Sequence, residues 1–183
     1  IVGAHDNHIP LPMFKNATAL SLPGPRLRQL GKDMSKFMRA GHGDEIHALH
    51  ELSARVSAAI KYSKGKTDTS TTAEMSMEIG MGVCQDHVHA FIAVARCLDF
   101  SARYVSGYLL MCDAEIQDAS HAWAEVFTDG LGWVGFDISN GISPDDRYVK
   151  LATGFDYADA APLSGIRFGS GEEQMSTQVI VSQ

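Results

Sequence analysis

Cysteine is scarce, long apolar runs are missing, and positive charge is in deficit. Three cysteines in 183 residues, Cys84, Cys97 and Cys112, cannot all pair within the chain and fall far below the density of a disulfide scaffold. A reducing compartment, the cytoplasm, is the expectation. The lack of any run of about 18 apolar residues excludes a membrane-spanning helix. Fifteen Lys and Arg against 22 Asp and Glu leave a formal net charge of -7. That is the wrong sign for gripping a phosphate backbone, and no local basic patch stands out, so neither nucleic acid nor membrane is expected as a partner. An initiator Met and a basic-then-apolar signal peptide are also missing. The chain opens with Ile1-Val2-Gly3, as expected of a piece of something longer. What is present suits a globular domain: 45% apolar and 20% charged residues, with no internal repeat or low-complexity tract.

Proline crowds between Pro10 and Pro25, so residues 1–24 read as an extended arm, expected to be the end of a further domain, ahead of a core over 25–183. From Pro25, apolar residues Leu27, Leu30, Met34, Phe37 and Met38 recur at helical spacing until Gly41. Asp44 caps a second helix with Ile46, Leu49, Ser53, Val56 and Ile60 on one face. The polar stretch 63–72 is a surface loop, and Thr71 or Thr72 caps a short helix that ends at Gly80. In a fourth helix Val88, Phe91, Ile92, Ala95 and Leu98 form one stripe. Extended back by four residues, that stripe lands on Cys84, at the first turn and on the buried face.

Beyond residue 101 the period changes to two. ARYVSGYLLM, SHAWAEVF and GWVGFDIS read as strands, the last two joined in a hairpin by residues 128–132, and further strands are expected from Arg147 and at the C-terminal end. Ala122, Ala124, Val126, Val134, Phe136 and Ile138 define a core face. The opposite face gathers His121, Trp123, Glu125, Trp133 and Asp137. Helices first and strands after argue an α+β fold with an antiparallel sheet.

Cys84 at a helix N-terminus has the setting that favours a thiolate, and Gly80 and Gly82 before it allow close backbone approach. If the hairpin turns around residue 129, His121 lies directly opposite Asp137, which is how a carboxylate orients an imidazole base. The backbone N–H of Cys84 and the Gln85 side chain are candidate oxyanion donors, and His87, Trp123 and Trp133 are candidate cleft residues. A metal reading competes, because Cys84, Asp86, His87, His89 and His121 all carry ligand atoms. Their directions around the helix do not converge, so neither a metal nor a cofactor is expected. His89 and Arg96 read as a solvated row, and Cys97 and Cys112 as structural.

The segments GVCQDHVHAFIAVARCLDFSARYVSGYLL and DASHAWAEVFTDGLGWVGFDISNG resemble the core of bacterial transglutaminase-like proteins, a branch of the papain-like cysteine peptidase superfamily. YVKLATGFDYADAAPLSG resembles that family's trailing segment. The resemblance implies a papain-like/transglutaminase-like core, with the Cys-bearing helix packed on an antiparallel sheet bearing His and Asp. It implies Cys84 as nucleophile, His121 as base and Asp137 as its orienting partner. Asp99-Phe100-Ser101 departs from the Gly-Ile-Pro common in the family, and His87 and His89 stand where aromatic or small residues are expected.

The expected chemistry is thiol acyl transfer on a peptide or side-chain amide of a peptide or protein substrate. Resolution by water makes a cysteine peptidase or amidase, and resolution by an amine makes a protein-glutamine transglutaminase. Hydrolysis is favoured because no dedicated amine site or calcium-binding carboxylate loop is evident. The rival from another class is a non-catalytic binding module that keeps the fold.

Overall fold

Each 3.6-residue apolar period is a helix in the computed structural model, which describes residues 9–41, 43–110, 116–117, 120–162 and 179–180. A 3-10 turn (Leu11–Lys15) precedes helix α1 (Pro25–Arg39), which starts on Pro25 and buries Leu27, Gly31 and Met34. Helix α2 (Glu45–Ala59) is capped by Asp44, whose carboxylate accepts from the His47 N–H at 2.9 Å. Strand β1 (Lys61–Tyr62) follows, then α3 (Ala73–Ile79), capped by Thr72 and closed by left-handed Gly80. Glu74 of α3 caps α1 across space: its two carboxylate oxygens accept from the Arg26 and Leu27 N–H groups at 2.8 and 3.2 Å. A side chain at Gly24 would collide with Glu74 there. Strand β2 (Met81–Gly82) leads directly into α4 (Cys84–Cys97).

The period-two segments form a four-stranded antiparallel sheet. Its strands are β3 (Ala102–Leu109), β5 (His121–Thr128), β6 (Gly132–Phe136) and β7 (Tyr148–Gly154), in the spatial order β6-β5-β3-β7. Strand β4 (Ile116–Gln117), between β3 and β5 in the chain, pairs antiparallel with β8 (Val179–Ile180), and the short helix α5 (Tyr157–Ala160) follows β7. Of the strand expected at the C-terminal end, only β8 falls within the described residues, and Cys112 lies outside them. The architecture is the expected α+β arrangement. Helix α4 packs on β5 and β3 and is flanked by α1, α2 and α3.

The hairpin register differs from the expectation. Thr128 pairs with Gly132, leaving a three-residue loop with left-handed Gly130, and the ladder ends at Ala124 opposite Phe136. Asp137 is therefore level with Trp123 and diagonal to His121, not directly opposite it. A shift of two residues preserves side-chain parity, so both groups stay on one face.

Helix α4 is enclosed on every side, with each residue from Asp86 to Arg96 buried. The expected solvated row of His89 and Arg96 does not exist. The Arg96 guanidinium is buried and donates to the carbonyls of Phe14 (3.0 Å), Ala102 (2.9 Å) and Phe155 (2.7 Å), and to the Ser21 hydroxyl (2.7 Å). Phe14 and Ser21 are themselves buried, so the described part of the proline-rich arm is anchored to α4 at these two points. Five of the 15 basic residues, Arg26, Arg28, Lys32, Lys36 and Arg39, sit on α1.

The C-terminus of α4 closes in a Schellman arrangement: the Phe100 N–H donates to Ala95 and the Asp99 N–H to Arg96. Asp99 takes the left-handed position at φ 70°. Glycine adopts this conformation without strain, whereas a residue with a Cβ pays roughly 1–2 kcal/mol. The Lys15–Asp99 ion pair at 2.9 Å is exposed and offsets little of that. Asp99→Gly is expected to raise stability by about 1 kcal/mol, read as a higher melting temperature. Arg96→Met should lower it by about 3 kcal/mol or more, because several buried acceptors lose their donor.

Candidate active site

Parallel pairing of β1 with β2 fixes the backbone immediately before Cys84: Lys61 pairs with Met81 and Tyr62 with Gly82. Helix α4 then starts at once, with Cys84 as its first residue. The Asp86 carboxylate folds back on the helix start, its Oδ2 accepting from the Val83 N–H and the Thr67 hydroxyl, both at 2.7 Å. A Cβ at Gly82 would fall 2.6 Å from that oxygen, so glycine is required for the close approach. Burial pushes the Asp86 carboxyl above its ordinary value, against the lowering effect of those two hydrogen bonds.

His121 opens β5 opposite Gly107 of β3. Gly107 sits at a bulge, where a Cβ would strike the Val149 carbonyl and the Trp123 ring. The bare backbone lets Trp123 lie flat against the strand. His121 Nε2 is 2.6 Å from Asp137 Oδ2. Because a carboxylate only accepts, Nε2 carries the hydrogen, and Nδ1 is left for another partner. The Cys84 thiol is near enough to the imidazole to act on its protonation. Burial alone would lower the His121 pKa. The Asp137 hydrogen bond and charge, together with Cys84, outweigh burial and raise it to about 9.

Asp137 is completely buried, and its two oxygens divide the work. Oδ1 accepts from the Asn140 N–H at 3.1 Å and shapes the turn after β6. Oδ2 accepts from His121, from the Asn140 side-chain amide at 2.7 Å and from the Tyr148 hydroxyl at 2.7 Å. Burial would raise the Asp137 carboxyl, but the His121 interaction and these donors hold it below the ordinary value. Tyr148, whose ring lies 6.0 Å from His121 and 5.4 Å from Trp123, is pushed well above its usual pKa by burial and by Asp137.

Of the sequence candidates, Cys84, His121 and Asp137 are thus brought together. Trp123 is buried behind His121, with ring centroids 6.5 Å apart. Trp133 is not near: it packs between Phe14 and Phe127 under the Arg103 guanidinium, which lies 4.0 Å from its ring centroid. Gln85 turns its side-chain amide toward the Asp68 carbonyl at 3.4 Å, which ties the 63–72 loop to the helix start. His87 is buried, so it does not line an open cleft. Its Nε2 donates to the Ile60 carbonyl at 2.7 Å and its Nδ1 meets the Ser139 hydroxyl at 2.8 Å, which joins α2, α4 and the Asp137 turn. Burial lowers its pKa and keeps it neutral. His89 accepts from the Tyr157 N–H at 3.2 Å, and burial lowers it to about 4. Among the described residues, no three His, Cys, Asp or Glu side chains gather as a metal cluster. Cys97 is exposed at the far end of α4. Asn140 and Tyr148 were missed: Asn140 follows Asp137 at an Asx-turn spacing that could have signalled it, whereas Tyr148 reaches Asp137 only through strand pairing.

The sequence model of the Transglutaminase-like superfamily matches residues 32–138, a stretch that includes all three grouped residues. An uncharacterized protein of Mycobacterium leprae is 32% identical over 156 residues, covering 79% of this chain and 55% of its own length. An uncharacterized protein of Mycobacterium bovis is 34% identical over 140 residues, covering 71% of this chain and 45% of its own. The chain thus spans about half the length of these relatives. A crystal structure from Cytophaga hutchinsonii, named a "Putative Cysteine Protease", superposes with a TM-score of 0.71 at 25% identity, over 97% of this chain and 58% of that one.

The raised His121 pKa fixes a pH dependence. Protonated His121 stabilises the fold fully below its unfolded value of 6.5, and that contribution is lost as pH rises through about 9. Titration of His121 by NMR should show a midpoint near 9. In Asp137→Asn the midpoint should move down toward the ordinary imidazole range, and the fall in melting temperature between pH 6.5 and 9 should shrink.

Proposed function

Because the chain belongs to the transglutaminase-like superfamily, we propose that it is a thiol-dependent acyl-transfer enzyme that cleaves peptide or side-chain amides, a cysteine peptidase or amidase. The carrying observation is the shared imidazole: Asp137 holds His121 Nε2 at 2.6 Å, and Cys84 is near enough to the same ring to raise its pKa. Sulfur attacks the amide carbonyl carbon and the carbonyl π electrons move to oxygen. His121, protonated by the thiol, then gives its proton to the departing amine. The carbon–nitrogen bond breaks and a thioester remains on Cys84. Water, deprotonated by His121, attacks that thioester, the carbon–sulfur bond breaks, His121 returns the proton to the Cys84 sulfur, and the carboxylic acid is freed.

Asp137 keeps its negative charge through this cycle because Asn140 and Tyr148 donate to it. It holds the ring in the tautomer whose Nδ1 faces sulfur and steadies the imidazolium. The name of the Cytophaga protein supports the peptidase branch. An amine attacking the same thioester would give transglutamination, so the branch is decided by which nucleophile enters.

Incubation with glutamine-containing peptides and a labelled primary amine reads that branch directly. Release of ammonia or peptide fragments without incorporated label is expected, and stable label incorporation would replace hydrolysis by transglutamination. Cys84→Ala should abolish turnover while circular dichroism stays unchanged. His121→Ala should lower kcat by roughly 10³–10⁴-fold and slow alkylation of Cys84 by iodoacetamide at pH 6–7 by about tenfold. Alkylation of Cys84 that is insensitive to His121, together with no turnover, would make the chain a binding module.

A further inference from the structure

Helix α1 carries its charge unevenly: against five Lys and Arg it has a single carboxylate, Asp33. Arg28, Lys32, Lys36 and Arg39 follow one another at intervals of four, four and three residues and are all exposed, so they form one row along the helix surface. The row is roughly 16 Å long at the helical rise of 1.5 Å per residue. All four side chains line a groove of about 700 Å³ between α1 and the C-terminal end of α4, whose apolar lining includes Met38, Cys97 and Leu98. We propose that this groove is a docking site for an acidic, extended peptide segment of a partner protein. It lies at the far end of α4 from Cys84, about 20 Å along the helix axis. The inference stands apart from the acyl-transfer reading and is tested without turnover.

The fold leaves these cations unneutralised. Arg28 Nε donates to the Pro23 carbonyl at 2.8 Å and Arg39 Nε to the Ser35 carbonyl at 3.2 Å, neutral acceptors that leave each charge in place. Among the described residues, Arg28, Lys32 and Arg39 meet no carboxylate at ion-pair distance. Lys36 lies 3.7 Å from Asp33, and Asp99 of the groove wall is paired with Lys15 at 2.9 Å. Burial raises the Cys97 thiol pKa and the Arg28 charge opposes it, so that guanidinium is within electrostatic reach of the apolar lining.

The shape and chemistry select a peptide. Side chains on one face of an extended chain recur about every 6.6 Å, close to the roughly 6 Å between cations four residues apart on a helix. The alternate side chains are then free to turn to Met38 and Leu98. No aromatic ring is among the described residues that line the groove, so the bases of a single strand have no platform on which to stack. The apolar stripe of α1 is turned inward, with Leu27 and Met34 buried, so the helix has no apolar face to lay into a lipid surface. Large polyanions also meet the excess negative charge of the chain, -7 in total, whereas a short acidic segment meets the row alone.

Fluorescence anisotropy of a labelled peptide of alternating Glu and Leu reads the docking. Saturable binding is expected, and none for the same peptide with Gln in place of Glu. Lys32→Glu combined with Lys36→Glu should weaken binding by about tenfold or more, the effect of losing two exposed ion pairs. Lys64→Glu combined with Lys66→Glu makes the same change of net charge on the 63–72 loop and should leave binding within about twofold, because distant exposed charges are screened. Bound peptide should also slow maleimide labelling of Cys97 in the wild-type protein, followed by mass spectrometry, a readout that depends on no variant folding. Absence of saturable binding, unchanged binding in the α1 double variant, equal weakening in both double variants, or unchanged Cys97 labelling under saturating peptide overturns the inference. Tighter binding of single-stranded RNA or of phosphatidylserine vesicles that the α1 variant abolishes also overturns it. So does a dimer that the α1 variant dissociates, since the groove then belongs to a second copy of the chain.

Discussion

A helix enclosed on every side cannot carry a polar group that lacks an internal partner without a cost of about 1–3 kcal/mol for each one left unpaired. Helix α4 carries four buried polar residues, Asp86, His87, His89 and Arg96, of which only Asp86 Oδ1 and His89 Nδ1 are left without a partner among the described residues. Each reaches a different neighbour. Asp86 holds the 63–72 loop through Thr67, His87 joins the end of α2 to the turn after β6, His89 receives the Tyr157 N–H, and Arg96 gathers the N-terminal segment, β3 and Phe155. Apolar packing supplies the bulk of the stabilisation, at about 1.5–3 kcal/mol for each large buried side chain. These four polar groups set the directions from which the surrounding elements approach.

The same constraint positions the site. Cys84 is half-buried at the start of α4, and the His87–Ser139 contact anchors the turn beginning at Asp137 to the first turn of that helix. Asp137 is thereby held relative to the thiol from two directions, through Ser139 and through His121. Loading three donors on Oδ2 while Oδ1 shapes the turn leaves the carboxylate no rotational freedom without breaking several bonds. An imidazole attached to such a carboxylate is oriented before any substrate arrives, so little reorganisation accompanies the chemical step.

Periodicity made the architecture legible. Amphipathic stripes announced α1, α2 and α4, and alternation announced the sheet and its two faces. Parity survived a misplaced turn because moving its centre from residue 129 to Gly130 shifts the pairing by two residues, which leaves every side chain on its face. Polar residues on α4 were harder. His89 and Arg96 look like a solvated row because a residue's type says nothing about which elements will pack against it. Their partners are separated from them by 68 residues for His89, and by up to 82 for Arg96. Trp133 was misplaced for a related reason: its parity matches His121, but it pairs with Phe127 at the opposite end of β5. Tyr62 lies on a strand of two residues, too short to carry a period at all.

Arg96 fixes where the folding unit begins. Its Nη1 is bonded to Ser21 and its Nε is shared with Phe14, both upstream of the first long helix. A chain shortened to start at Pro25 would retain every helix and strand named above, yet leave a buried cation facing two empty acceptor positions. Lysine could not replace it, because a single ammonium cannot reach in a fork toward carbonyls that converge from separate segments. The described part of the proline-rich stretch is therefore tied to the core helix at Phe14 and Ser21 and does not stand apart from it.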